Sequence, residues 1–329
     1  MNGLLPWHDD LWRRLMARRR AASLPHALLL SGPDGMGKNQ FADLLAQRLL
    51  CERPDTRDLP CGECRGCQLL AAGSHPDQRR VAPLEEGKVI GVDQIRELGH
   101  YLAHTPQYGA HKVVIVTPAD KMNINSANSL LKTLEEPPPY ALLLLVTAHP
   151  RRLPVTVISR CQRLSFTPPP TEQAGAWLAA QIVDSTAPEL LLGLADGAPL
   201  RALALADGGT LKNRESLLNL VEQVARGDAE PLAAAANSLK IGAKETLYCM
   251  YSWIGDMIRL ASCGDPLRVI NLDLQPRLGR LAQGLALKEL HAQLDQVGRA
   301  LQLIDRPLNQ QLLLENVLIT WQAAFQRRP

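Results

Sequence analysis

Two short stretches of this 329-residue chain gather residue types that can do chemistry. The first is Gly32-Pro33-Asp34-Gly35-Met36-Gly37-Lys38-Asn39. Glycines at that spacing let backbone N–H groups converge on phosphate oxygens, and a lysine at the end reaches the outer phosphates. The position after the lysine should carry a hydroxyl to hold magnesium, and here it is Asn39. Gly32, Gly35, Gly37 and Lys38 therefore keep the cradle of a nucleotide site, while Asn39 breaks its metal chemistry.

The second stretch places four of the seven cysteines within 17 residues: Cys51, Cys61, Cys64 and Cys67, spaced C-x9-C-x2-C-x2-C. Two overlapping C-x2-C steps and one cysteine from a preceding helix can offer four thiolates to a tetrahedral zinc ion. The polar segment between them has little core of its own, so a metal would replace one. A redox C-x2-C pair would not need four cysteines, and disulfides do not suit a reducing compartment. Four thiolates leave no open position, so the metal is expected to be structural. Cys161, Cys249 and Cys263 are scattered and read as small buried hydrophobes.

A phosphate-cleaving site needs more than a loop. An acidic residue after a neighbouring strand holds magnesium, and a following glutamate often polarises water. After the apolar run 113–116 the chain has Thr117 and Pro118, neither a carboxylate nor a base. Asp120 and Glu135-Glu136 lie off the strand end and are not expected to substitute. With Asn39 this makes two independent losses. They predict that the chain does not hydrolyse nucleotide, although Lys38 leaves weak ATP or ADP binding open.

The elements that position these residues follow from hydrophobic pattern. Residues 27–30, 113–116 and 142–146 are unbroken apolar runs, as strands covered on both faces are, which points to a parallel α/β sheet. Trp7, Leu11, Trp12, Leu15 and Met16 put an amphipathic helix over residues 9–20, ending in Arg18-Arg19-Arg20. Phe41, Leu44, Leu45 and Leu49 stripe the helix that follows the glycine loop. Asp93 is expected to cap a helix starting near Val92, and His75 and Asp77 to shape a turn. Ala127, Leu130, Leu131 and Leu134 stripe another helix, stopped by Pro137-Pro138-Pro139.

Pro168-Pro169-Pro170 and Gly208-Gly209 read as breaks, dividing the chain at 1–167, 168–208 and 209–329. Everything after residue 208 is helical in pattern. Leu287, Leu290, Leu294, Val297, Leu301 and Ile304 step by 3 and 4, a seam for packing inside the chain or against a neighbour.

Composition bounds the function. The chain is 46% hydrophobic and 21% charged, and its 4% aromatic content argues against stacking platforms for single-stranded nucleic acid. No apolar run approaches the ~20 residues of a membrane span, and nothing reads as a signal peptide, so the cytoplasm is the expected compartment. Net charge is +3, with 21 Lys+Arg against 16 Asp+Glu in residues 1–167 and 1 against 5 in residues 168–208. A dedicated nucleic-acid binder would show a stronger basic footprint.

Leu130-Leu131-Lys132-Thr133-Leu134-Glu135-Glu136-Pro137-Pro138, Leu153-Pro154-Val155 and Ser159-Arg160-Cys161 resemble the clamp-loader branch of the AAA+ ATPases. With the glycine loop and the cysteine insert, the likeness is to the bacterial DNA polymerase III clamp-loader family. It is dense over residues 24–166 and thinner beyond, where residues 309–321 resemble the family's last helix. By spacing alone Arg160 could be an ordinary surface arginine. The resemblance implies instead that Ser159-Arg160-Cys161 is the family's SRC motif, whose arginine serves the ATP of the neighbouring subunit. It also implies that Cys51, Cys61, Cys64 and Cys67 form a zinc module at 51–67, and that Thr117 and Pro118 stand where motor subunits carry Asp and Glu.

The expected architecture is an AAA+, RecA-like parallel-sheet domain with the zinc insert, a small helical lid, and an all-α collar that packs against other subunits. The implied partners are the motor ATPase subunits and a delta subunit of a hetero-oligomeric ring, the sliding clamp, and primer-template DNA through the complex. No membrane partner is expected. Two other readings remain: an active clamp-loader-type ATPase subunit, or a zinc-dependent nucleic-acid-binding protein with an incidental phosphate loop.

Overall fold

The computed structural model describes residues 3–85, 87–182, 187–207, 210–263, 269–304, 306 and 308–326. The expected break at Gly208-Gly209 and the side chain of Cys263 lie outside the described residues. The chain divides into two compact units, residues 1–177 with 198–201, and residues 178–197 with 202–329.

In the first unit the three apolar runs form the middle of a five-stranded parallel sheet, as strands buried on both faces must. They are β1 (Ala27–Ser31), β3 (Lys112–Val116) and β4 (Ala141–Thr147), buried at every residue. Two strands that the apolar pattern does not reveal complete the sheet, β2 (Gln78–Val81) and β5 (Gln162–Ser165). The order is β2-β3-β4-β1-β5. Both outer strands are edges, which is why they tolerate Arg79, Arg80 and Arg163 and look polar in sequence.

Alternate residues of each inner strand go to opposite faces. Leu28, Leu30, Val113, Ile115, Leu142 and Leu144 pack with Trp12, Leu15 and Met16 of α1 (Asp9–Arg20) and with Phe41 and Leu45 of α2 (Lys38–Leu50). The short α3 (Arg65–Ala71) follows α2. Leu29, Val114, Val116, Leu143 and Leu145 face α4 (Val92–Ala103) and α5 (Ile124–Glu135) through Leu98, Leu102, Leu130 and Leu134. Each fully buried leucine stabilises this arrangement by about 1.5–3 kcal/mol. One expected cap is corrected: Gly91, not Asp93, precedes α4. Its N–H is bonded by Gln94 Oε1 at 2.9 Å, which leaves Asp93 in the first turn.

After α6 (Val155–Ile158) come α7 (Thr171–Ala179), α8 (Pro188–Leu194) and α9 (Pro199–Asp207). The second unit is dominated by α10 (Thr210–Arg226), α11 (Pro231–Ile241), α12 (Ala243–Cys263), α13 (Gln275–Ala282), α14 (Leu287–Leu303) and α15 (Gln310–Gln326). α12 packs on α14 and α13, and α15 on α11 and α10, around Trp253 and Trp321.

Of the two packings left open for the 287–304 seam, most of it takes the internal one. Leu290, Val297 and Ile304 are fully buried and Leu294 and Leu301 partly so, all within their own unit. Leu287 at the start of the seam is exposed, as are Leu312 and Ile319 on α15 and Tyr248 and Tyr251 on α12.

Candidate functional site

The glycine loop is built as its sequence requires. Gly32, Gly35 and Gly37 have φ of +154°, +78° and +85°, conformations that side-chain-bearing residues resist. A Cβ on Gly35 would also lie 2.6 Å from Arg201 Cβ, and one on Gly37 would lie 2.4 Å from Leu5 Cδ1. The loop runs from the end of β1 into the N-terminus of α2, the placement of a P-loop.

Its lysine, however, is turned inward. Lys38 is 6% exposed, and its Nζ donates to the carbonyls of Gly32 at 2.7 Å and Pro33 at 2.6 Å. Burial lowers its pKa from the ordinary lysine value, with Asp34 and Asp120 opposing that shift. Thr117 Oγ1 donates to Asn39 Oδ1 at 2.8 Å, so the two residues expected where magnesium would be held are bonded to each other. Asp120 lies closer to the loop than its sequence position suggested. Its carboxylate supports the charge of Lys38 and accepts a 2.5 Å hydrogen bond from Thr147 Oγ1 at the end of β4.

A second layer that sequence reasoning missed pins the loop from outside. Trp7 Nε1 and His8 Nε2 both donate to the Met36 carbonyl, at 3.1 and 2.8 Å. His8 is buried among Phe41 and Phe166, and that burial lowers its pKa to about 4 despite the Met36 bond. No local pattern marks this histidine, because its partner lies 28 residues away.

The four cysteines converge. Their Sγ atoms all lie within 4.8 Å of one another, with separations of 3.6 Å (Cys51–Cys61), 3.9 Å (Cys51–Cys64) and 4.0 Å (Cys61–Cys67). A tetrahedron with metal–sulfur bonds of about 2.3 Å has edges of about 3.8 Å, so the cluster has the size of a four-thiolate metal site. Cys51 caps the end of α2 and Cys64 the start of α3, which brings two rigid elements to the cluster. Backbone N–H groups of Cys61, Cys64 and Cys67 point at the sulfurs of Cys51, Cys61 and Cys64, at 3.3–3.4 Å. The N–H groups of Glu63 and Cys64 pull the Cys61 thiol down to about 6, while burial pushes Cys51 and Cys67 up. The cluster can hold a metal ion.

His75 and Asp77 serve the loops nearby. Asp77 is fully buried and accepts the N–H groups of Gln107 and Tyr108, and its own N–H is bonded by His75 Nδ1 at 3.0 Å. Of the other cysteines, Cys249 is buried and Cys161 partly so. Of the arginines ending α1, the exposed Arg20 pairs with Asp58 at 2.8 Å, and Asp58 also binds the buried Arg48 at 2.5 Å.

Ser159, Arg160 and Cys161 lie just past α6, at the start of β5. The Arg160 side chain is 37% exposed, its Nη1 donating to the Thr156 carbonyl at 2.9 Å and its Nη2 lying 2.7 Å from Glu135 Oε1. Ser159 Oγ donates to the same carbonyl at 3.1 Å. Glu135 and Glu136, weighed above as metal ligands, stand at the C-terminal end of α5 and its cap, and Glu135 is the partner of Arg160.

A parallel sheet in this order, a P-loop between β1 and α2, a four-cysteine insert and a helical C-terminal unit define a P-loop protein of the AAA+ class. A solved gamma subunit-related protein of DNA polymerase III from Thermotoga maritima shares that fold. It has a TM-score of 0.50 and 19% identity, over 94% of this chain and 99% of that one. The family described as DNA polymerase III, delta subunit, matches residues 7–170, and its C-terminal counterpart matches residues 209–323. The DNA polymerase III subunit delta' of Pseudomonas aeruginosa is 36% identical over 98% of both chains. That of Escherichia coli is 35% identical over 95% of this chain and 94% of its own. The chain belongs to the DNA polymerase III subunit delta' family.

Proposed function

We propose that this chain is the non-hydrolysing member of a clamp-loader ring and gives Arg160 to the ATP site of a neighbouring subunit. The observation that carries the reading is the contrast between two sites. At its own P-loop, Asn39 and Thr117 bond each other where magnesium would be held. At Ser159-Arg160-Cys161 the guanidinium stands partly exposed at a loop. A finger of this kind contributes about 10³–10⁵ in rate by stabilising charge on the transferring phosphate. Its neighbours in the ring would be the motor ATPase subunits and delta, acting together on the sliding clamp and primer-template DNA. Residues 168–208 would be the lid and residues 209–329 the collar, with Leu312, Ile319, Tyr248 and Tyr251 supplying apolar surface for subunit contact.

Zinc is the metal proposed for Cys51, Cys61, Cys64 and Cys67, because four thiolates at tetrahedral spacing suit it. Bound there, it would cross-link α2 to α3 and supply no catalysis. Nucleotide binding at Lys38 is proposed to be weak or absent, since the lysine is held by the loop's own carbonyls.

The decisive experiment is Arg160→Ala in a reconstituted complex. The expected result is normal assembly with partner ATP turnover reduced by about 10³ or more at the site it serves. Unchanged turnover would remove the finger. An active ATPase reading would instead require magnesium-dependent turnover by the isolated chain, abolished by Lys38→Ala.

A further inference from the structure

Arg160 is held from two sides before any partner arrives. Its Nη1 binds the Thr156 carbonyl of α6, and its Nη2 binds Glu135 Oε1 at the end of α5. The two helices pack against each other, so both anchors belong to one framework. A guanidinium has five N–H donors in a rigid planar fork. Two are engaged here, which leaves three to meet phosphate oxygens.

We propose that Glu135 is a positioning residue for Arg160, fixing the plane and reach of the guanidinium that acts on the neighbour's nucleotide. The inference rests on the finger reading above and adds a residue to it. An arginine has many rotamers to lose when it enters a site, and an anchor already in place reduces that loss. A carboxylate suits the task because it binds one edge of the fork and leaves the rest open. The Glu135 side chain is half exposed and makes no other ion pair among the described residues, so the core does not depend on it.

The test is a double-mutant cycle on partner ATPase in the reconstituted complex, with wild type, Glu135→Ala, Arg160→Ala and the double variant. Glu135→Ala is expected to lower kcat by about three- to tenfold, the size of one or two surface charge contacts, with KM for ATP unchanged. Glu135→Gln keeps an acceptor oxygen at the same reach and should recover part of that loss. In the Arg160→Ala background, Glu135→Ala should change nothing further. Size-exclusion chromatography of each complex is expected to show normal assembly. An equal fall in kcat with and without Arg160 would overturn the inference, as would an unchanged or raised kcat in Glu135→Ala. Should Arg160→Ala itself leave partner turnover untouched, the finger reading falls; an effect of Arg160→Ala with none of Glu135→Ala removes this inference alone.

Discussion

The cysteine cluster and the P-loop are both cradles for a cation or its phosphate partner, yet they have kept different things. The cluster keeps every ligand: four sulfurs at the spacing of a tetrahedral site, on two helix ends. The P-loop keeps its backbone and its lysine, while Asn39 and Thr117, the residues proposed to replace its magnesium ligands, are bonded to each other. The difference lies in what holds each one up. Residues 51–67 have almost no core besides the cysteines themselves, so losing a ligand would undo the fold of the segment. The P-loop is braced by neighbours outside it: Leu200 on Gly35, and Trp7 and His8 on Met36. On the proposed reading, a site held by packing can outlive its chemistry.

The largest effect expected from this contrast is at the cluster. Elemental analysis should find about one zinc per chain, and chelation or Cys64→Ser should expose residues 51–67 to protease and lower Tm markedly. Four-thiolate sites contribute of order 10 kcal/mol in small zinc domains, an upper bound for an insert in a larger unit. A metal-free chain with an unchanged melt would erase the distinction between the two sites.

Next is the brace of the P-loop. Gly35→Ala combines a left-handed backbone with a methyl placed 2.6 Å from Arg201 Cβ. It should cost about 2–4 kcal/mol, read by urea denaturation, from backbone strain and overpacking together. A silent Gly35→Ala would mean that the loop is not held as a structural element.

How far these two sites could be read from sequence follows the same division. The inner strands, the loop and the cluster announce themselves through local spacing: unbroken apolar runs, glycines around Lys38, and cysteines within 17 residues. What escaped is what depends on distant partners. Thr117 bonds Asn39 across 78 residues, and Glu135 meets Arg160 only after α5 and α6 pack together. The edge strands β2 and β5 escaped for another reason, since an edge need not be apolar. The 287–304 seam was visible as a stripe, but periodicity says only that a face is buried, not against what. The satisfied network of Asp256 with Ile270, Asn271 and Arg259 left no sequence signal at all.

The third expectation is a pH dependence that belongs to the P-loop side. The folded pKa of His8, about 4, lies below its ordinary 6.5, so the unfolded chain binds the proton more readily. The stabilisation is therefore fully present above pH 6.5 and is lost as pH falls toward 4, by at most about 3 kcal/mol. Denaturation curves across that window should flatten in His8→Gln relative to wild type. Acid also releases metal from thiolates, so metal content must be followed in both proteins. Equal acid sensitivity of the two would assign the effect to the cluster.

The smallest effect asks whether the P-loop's chemistry can be returned. Asn39→Thr with Thr117→Asp puts a hydroxyl and a carboxylate at the positions expected to hold magnesium and removes the bond between them. Lys38 would still have to leave the carbonyls of Gly32 and Pro33 before reaching a phosphate. The gain in magnesium-dependent ATP affinity should therefore be modest, about tenfold by calorimetry or roughly 1.4 kcal/mol. Turnover is expected to be absent, because Pro118, placed by the family resemblance where motor subunits carry the water-polarising residue, cannot take a proton. No gain in affinity would place the block in the inward lysine rather than in the missing ligands. Turnover that disappears again with Lys38→Ala would show that the loop had lost far less than its sequence suggests.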